Sequence, residues 1–181
     1  DRFGVTADQG IVTAGQGGAV GISGSSFVVP FVRMPNAPAE VHLNTTSSLT
    51  AVLSLLDRPP FEFLSKANQP VTLADGKAVL KGKIDILLKK KLPADEISFD
   101  VGGELSGVRS ETIVAGRVLN APSLKVRATN ADLVISGAGR IGQVPFEGAF
   151  TSKLTKGSNS SAVKGWVELS ERFVDEFKIG L

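Results

Sequence analysis

Two stretches in the middle of the chain alternate regularly between apolar and polar residues. Residues 77–88 read KAVLKGKIDILL, and residues 96–105 read EISFDVGGEL. Successive side chains of a strand point to opposite faces, so each stretch predicts a strand with one apolar and one charged face. This one-sided alternation is typical of antiparallel sheets, because strands buried on both faces are apolar throughout. The apolar positions are Leu80, Ile84, Ile86, Leu88, Ile97, Phe99, Val101 and Leu105.

Further strands are predicted on both sides of these two. The links at residues 120–122 (NAP) and 129–132 (TNAD) contain turn-forming Asn, Asp and Pro. Strands that recur about every 8–12 residues with tight links indicate an antiparallel meander. The downstream strands are predicted at residues 113–119, 124–129, 133–141, 144–154 and 162–169. The glycine-rich upstream strands are predicted at residues 3–7, 11–14, 19–23, 27–32 and 40–43.

Helical spacing is clearest in residues 47–56, which read SSLTAVLSLL. Here Leu49, Val52, Leu53 and Leu56 follow the i, i+3, i+4, i+7 pattern of one helix face, behind a serine that can cap the helix. The DRPP sequence that follows ends the helix, because proline disfavours a helical conformation in the residue before it.

These elements organise the chain as one continuous domain. A glycine-rich β segment covers residues 1–44, and a helical connection with a second short turn at 60–67 covers residues 45–69. An antiparallel meander covers residues 70–181 and ends in a short helix at 171–178. The predicted fold is mainly β with a minor α part. It is a strongly curved antiparallel meander forming a trough or half-barrel, with one or two short helices packed on it.

The composition limits the chemistry that the chain can perform. Its 181 residues contain no cysteine, which excludes disulfides, thiolate zinc sites and cysteine nucleophiles. The net charge of +2 comes from interspersed charges of both signs, so no nucleic-acid-binding field is predicted. Ten Phe, one Trp and no Tyr supply apolar area with few polar tips. This set favours packing or apolar ligands over sugars.

The sequence LVISGAGRIG at residues 133–142 contains a G-x-G-x-x-G pattern, the fingerprint of dinucleotide-binding folds. That fold needs a helix directly after the glycines, with its N-terminus at the pyrophosphate. Here Pro145 and another alternating stretch follow instead. We therefore interpret the motif as a strand, in which Gly137 and Gly139 occupy positions where side chains would crowd a tightly curved sheet or a neighbouring backbone.

Other candidate catalytic groups also lack the arrangement that their chemistry needs. His42 is the single histidine and alternates with apolar neighbours, which predicts a solvent-facing strand position. Asp95 and Glu96 would point to opposite faces of a strand, which prevents shared acid–base work. Ser161 and Lys164 match an S-x-x-K pattern, but its partner motifs are missing and the two diverge on a strand. We expect no enzyme activity, no metal site and no cofactor.

Three lysines, Lys89, Lys90 and Lys91, follow directly after the first alternating strand. Lysines at such a place are commonly a solvated strand end that discourages edge-to-edge aggregation. The less common alternative is contact with anionic lipid headgroups, at about 1 kcal/mol per lysine near a charged surface.

The apolar face, to which Phe146 and Phe150 also belong, is larger than one ten-residue helix can cover. Two arrangements satisfy it: a closed sandwich or barrel in which these residues form a core, or an open trough with an apolar inside. The closed form would be a binding or spacer module of a large surface protein, with its function on loops.

Several turns and strand ends between residues 70 and 150 together carry a resemblance to a known family. They are the turn ADG at 74–76, the long strand with Gly82 that ends in basic residues, the LSGV strand end at 105–108, and the glycines at 137–142 followed by VPF. This arrangement resembles the AsmA-like proteins of Gram-negative envelopes, especially their YhdP and TamB branch.

The resemblance implies a long, curled β-sheet whose apolar trough conducts phospholipids between the inner and outer membranes. The apolar positions named above would line the groove, and residues 89–91 would contact headgroups. Phospholipid or another acyl lipid and adjacent repeats of a longer parent chain are the implied partners. The parent protein would lie in the periplasm, tethered to the inner membrane by a helix outside residues 1–181, which contain no apolar run of about 18 residues.

Overall fold

A computed structural model describes residues 1–59, 61–155 and 160–167 and shows an antiparallel sheet of eleven strands with two short helices. A single 3-10 turn, Ala94–Glu96, precedes the longest strand. In chain order the elements are β1 (Phe3–Thr6), β2 (Ile11–Thr13), β3 (Ala19–Gly21), β4 (Ser26–Val29), β5 (Pro38–Ser48), α1 (Leu49–Leu56), α2 (Phe63–Lys66), β6 (Asp75–Leu87), β7 (Ser98–Val114), β8 (Arg117–Thr129), β9 (Asp132–Ile141), β10 (Val144–Lys153) and β11 (Ser161–Val167).

The strands follow one another across the sheet almost in chain order. From β4 to β11 the path is β4-β5-β6-β7-β8-β9-β10-β11, and β1 pairs with β4 at the other side. The hairpin of β2 and β3 joins β5 through one residue pair, Gly21 with Thr46. The sheet is not closed into a barrel, and within the described residues β1, β2 and β11 each pair on one side only. The predicted fold class is confirmed.

Helix α1 forms where the sequence predicts it and packs on the apolar face of the sheet. Ser48 is its N-cap, and the Ser48 hydroxyl accepts a hydrogen bond of 3.1 Å from the Ala51 N–H. Leu49 packs into a cluster with Ala78 of β6 and Leu105 of β7, both of which are buried. Because Ala78 has a small side chain, the helix can approach the sheet closely at this point. Neither α1 nor α2 reaches the length of a membrane-spanning segment in the described residues.

The predictions of a strand at residues 113–119 and of a turn at 120–122 are wrong. Strand β7 continues to Val114, a two-residue turn follows, and β8 runs from Arg117 through Pro122 without a break. The pairing of β8 with β9 skips two residues at this point, which marks a bulge. Proline has no N–H to donate to a ladder, and bulges are among the few places in a sheet that tolerate it.

Strand ends also differ from the predicted ones. Strand β6 stops at Leu87, so Leu88 lies outside it. Glu96, the predicted first residue of the next strand, belongs instead to the 3-10 turn Ala94–Glu96, and β7 begins at Ser98. The strand predicted at residues 27–32 ends earlier in the structure: β4 stops at Val29, because Pro30 follows it. The predicted helix at 171–178 lies outside the described residues.

Candidate functional site

The cross-strand register places the predicted apolar positions in rows on one face of the sheet. In one row Leu80 lies opposite Gly103, followed across β8, β9 and β10 by Val126, Ile135 and Phe150. Neighbouring rows on the same face contain Ile84 with Phe99, and Val101 with Ala128 and Leu133. Across the described strands β5 to β11, Arg117 at the start of β8 is the one charged residue at a position of this face.

Helix α1 covers one part of this face, and among the described residues no other element forms a second layer over the rest. Beneath the helix, Ala78 and Leu105 are buried, and Leu80, Leu124 and Val126 pack partly against them. Beyond the helix the large side chains are half-buried between their neighbours on the sheet, except for Val163 of β11, which is exposed. We call this uncovered part the open apolar face. It consists of Ile84, Phe99, Val101, Leu133, Ile135, Phe146, Phe150 and Val163.

The ten predicted groove residues therefore have three different environments. Ile97 and Leu105 are buried, and Leu88 is 42% exposed just beyond the end of β6. The other seven are half-buried: Leu80, Ile84, Ile86, Phe99, Val101, Phe146 and Phe150. Ile86 packs against a small cluster of Val29, Ala37 and Ala39 at the other end of β6.

The open apolar face also includes residues of β9 and β11 that are missing from the ten predicted groove residues. Leu133 and Ile135 of β9 lie on it, and so does Val163 of the edge strand β11, which is 79% exposed. The alternation of β9 already places Leu133 and Ile135 on one face. The missing information is the strand register, which aligns Ile135 with Phe150.

Gly137 and Gly139 of LVISGAGRIG lie where the neighbouring strand leaves no room for a side chain on the apolar face. A Cβ atom added to Gly137 or Gly139 would come closer than 3.0 Å to a backbone carbonyl oxygen of β8, a distance that real side chains essentially never show. The same holds on this face for Gly82, Gly103, Gly148 and Gly165 against their neighbouring strands. By contrast, a Cβ at Gly102, on the opposite face, would be 3.2 Å from the nearest backbone atom. The interpretation of the motif as a strand, with glycines where side chains would crowd a neighbouring backbone, is confirmed.

The opposite face of the sheet is charged and carries an open depression of about 840 Å³. Lys81, Glu104 and Lys125 line it together with an ion pair between Arg127 and Asp100. The guanidinium of Arg127 donates two hydrogen bonds, of 3.1 and 2.8 Å, to the Asp100 carboxylate. These bonds lower the pKa of Asp100 below its ordinary value of 3.8 and raise the pKa of Arg127. The two faces therefore differ sharply in chemistry.

The remaining predicted polar residues are dispersed. His42 lies exposed on β5 with its Nε2 3.5 Å from a Glu40 carboxylate oxygen, which confirms its solvent-facing position. Lys89 pairs with Glu96, whereas Lys90 and Lys91 are exposed in the loop after β6. Within the described residues, no group of three or more His, Cys, Asp or Glu side chains is arranged to hold a metal ion.

Comparison of the chain with protein-family models, with curated proteins and with solved structures gave no match.

Proposed function

We propose that this chain is a non-enzymatic segment of an AsmA-like envelope protein and that its open apolar face binds the acyl chains of phospholipids. The observation that carries the proposal is a continuous apolar face on an open sheet, which helix α1 covers only in part. Exposed apolar area of this extent marks a binding site, because burying it in an apolar ligand is favourable.

The chemistry of the face fits a hydrocarbon ligand. Its side chains are those of Phe, Ile, Leu and Val, so no hydroxyl or charge has to lose its water when an acyl chain is bound. We infer that the glycines on this face, where a Cβ would collide with a neighbouring strand, allow the sheet to curve towards it, which would increase the contact that a flexible chain makes with several rows at once. Such a ligand is held by shape and apolar contact and requires no catalytic group.

The single sheet favours this function over the closed binding or spacer module. A closed sandwich needs a second sheet that buries the inward-facing side chains. In the described part of the chain there is one sheet, and Val144 is the one large side chain that is buried to less than 2% exposure.

The setting of the protein follows from the resemblance to AsmA-like proteins. The parent protein would lie in the periplasm, tethered to the inner membrane, and adjacent repeats would extend the sheet from its edges. In that arrangement the open apolar face would form one section of a longer lipid path.

Photo-crosslinking from neighbouring positions on the two faces tests the proposal. A benzophenone side chain is introduced at Ile135, on the open apolar face, or at Val134, which lines the depression on the charged face. The two residues are adjacent on β9 and both half-buried, so they serve as a matched pair. After incubation with phospholipid, we expect lipid adducts in mass spectra of the Ile135 variant and few from Val134. Equal labelling at the two positions, or no adduct at either, would overturn the proposal.

A further inference from the structure

Two loops lie side by side at the end of the sheet that is remote from helix α1. The first, residues 30–37, leads into β5, and the second, residues 88–97, follows β6. Pro38 lies opposite Leu87 in the ladder, and the N–H of Leu88 donates a hydrogen bond of 2.9 Å to the carbonyl of Ala37. Helix α1 contacts the beginning of β6, at the other end. We call these two loops and Leu87 the loop end of the sheet.

The loop end exposes several large apolar side chains. Phe31 is 58% exposed, Met34 54% and Val32 43%, and across the hydrogen-bonded contact Leu87 and Leu88 are 38% and 42% exposed. Single exposed apolar residues are normal on a protein surface, but five together on the loop end mark an interaction site.

Basic side chains accompany these apolar residues. Arg33 lies between Val32 and Met34, and its guanidinium is 2.8 Å from the Asp1 carboxylate. On the second loop Lys90 and Lys91 are exposed and form no ion pair with any described residue, whereas Lys89 is paired with Glu96. Within the two loops, the four basic residues outnumber Asp95 and Glu96. The excess of positive charge attracts an anionic surface.

We propose that the loop end docks on an anionic membrane surface. Phe31, Met34 and Leu88 enter the interface, and Lys90 and Lys91 face the lipid phosphates. Apolar insertion and a basic cluster are each weak alone, and stable attachment to a membrane requires two such signals together. Docking of this kind goes beyond lipid binding by the open apolar face and does not depend on it. It would place Ile84, three residues before Leu87, about 10 Å from the surface.

Vesicle flotation tests the docking. The protein is mixed with vesicles of phosphatidylcholine containing phosphatidylglycerol, or with phosphatidylcholine alone, and the fraction that floats is measured. The variant Lys90→Glu/Lys91→Glu should lose binding to the anionic vesicles by about 25-fold or more, at about fivefold per lysine. The control variant Lys81→Glu/Lys164→Glu makes the same charge change at exposed strand positions and should bind as the wild type does.

The apolar contribution is tested with a fluorescent reporter. Trp166 is the single tryptophan, so a Trp166→Phe background allows Phe31→Trp to report from the loop end alone. On anionic vesicles its emission should shift to the blue and be quenched by brominated lipid. A second variant, Phe31→Ser/Met34→Ser, should float less than the wild type while keeping its circular dichroism spectrum.

Several outcomes would overturn the docking. The docking is contradicted if the wild-type protein does not float with anionic vesicles, or if the control variant loses as much vesicle binding as Lys90→Glu/Lys91→Glu. It is also contradicted if the emission of Phe31→Trp shows no blue shift on anionic vesicles. A second copy of the chain, rather than a membrane, would cover the loops under two conditions. The sedimentation coefficient would change with protein concentration in the wild type but not in the loop variants, and the protein would not bind vesicles. Lipid adducts at Ile135 that persist in the Lys90→Glu/Lys91→Glu variant would separate this surface from the open apolar face. Flotation without those adducts would contradict only the proposed function.

Discussion

The covered and uncovered parts of the apolar face should respond differently to the same charge substitution. Leu105 and Val101 lie on the same face of β7, but Leu105 is 7% exposed beneath α1 and Val101 is half-buried on the open apolar face. An aspartate at Leu105 would be a buried, unpaired charge, which costs about 3–5 kcal/mol. An aspartate at Val101 keeps its carboxylate in water and loses only partial burial, about 1 kcal/mol. Against a typical total stability of about 5–15 kcal/mol, this difference is easily resolved.

Urea denaturation measures both effects, with circular dichroism following the sheet and Trp166 reporting on the edge strand β11. If Leu105→Asp does not fold, the pair Leu105→Ala and Val101→Ala gives the same comparison, with about 2–5 kcal/mol expected for the buried leucine and about 1 kcal/mol for the valine. An equal loss of stability at the two positions would refute the reasoning, because it would mean that the open apolar face is covered in solution.

Three further substitutions test the curvature, the charged face and the helix cap. Gly139→Val should destabilise the fold by about 1–3 kcal/mol in urea denaturation through crowding against the neighbouring backbone, whereas Ala138→Val, on the other face, should change stability by less than about 0.5 kcal/mol. Arg127→Gln should raise the pKa of Asp100 towards 3.8 in an NMR titration. In the wild type, the Arg127–Asp100 pair stabilises the fold above the unfolded-state pKa of Asp100, and this stabilisation disappears as the pH falls through the lower folded-state pKa of Asp100. An unchanged Asp100 titration in the variant would contradict the pairing. Ser48→Ala should cost about 1 kcal/mol in thermal or urea unfolding, and no loss would show that α1 does not depend on its cap.

The periodic elements could be predicted from the sequence because their cause is local. Alternation identifies β6, β9 and β10, and the leucine spacing after Ser48 identifies α1. The link at residues 120–122 was predicted wrongly for a tertiary reason. Asparagine and proline favour a turn in an isolated segment, but here β7 and β9 continue on both sides, so the chain keeps its direction and accommodates Pro122 in a bulge.

The loop end could not be predicted from alternation. Residues 27–32 contain enough apolar side chains to indicate a strand, yet β4 stops at Val29 before Pro30. Proline cannot donate to a ladder, so Phe31 and Val32 leave the sheet and become exposed. Their proximity to Lys90 and Lys91 then depends on the pairing of β5 with β6, which brings together segments almost sixty residues apart.

The glycine motif shows how an arrangement of strands gives meaning to a pattern that is ambiguous in one segment. Alternate glycines, such as Gly137 and Gly139, lie on one face of a strand, but a nucleotide loop has the same spacing. In the folded sheet Gly137 lies opposite Gly148, and Gly148 lies opposite Gly165, so three strands lack a side chain in the same row on the apolar face. A single glycine would relieve one contact, whereas a row across three strands allows the whole sheet to bend there. Because this row lies on the apolar face, the same residues that exclude a phosphate loop help to shape the surface proposed here to bind lipid.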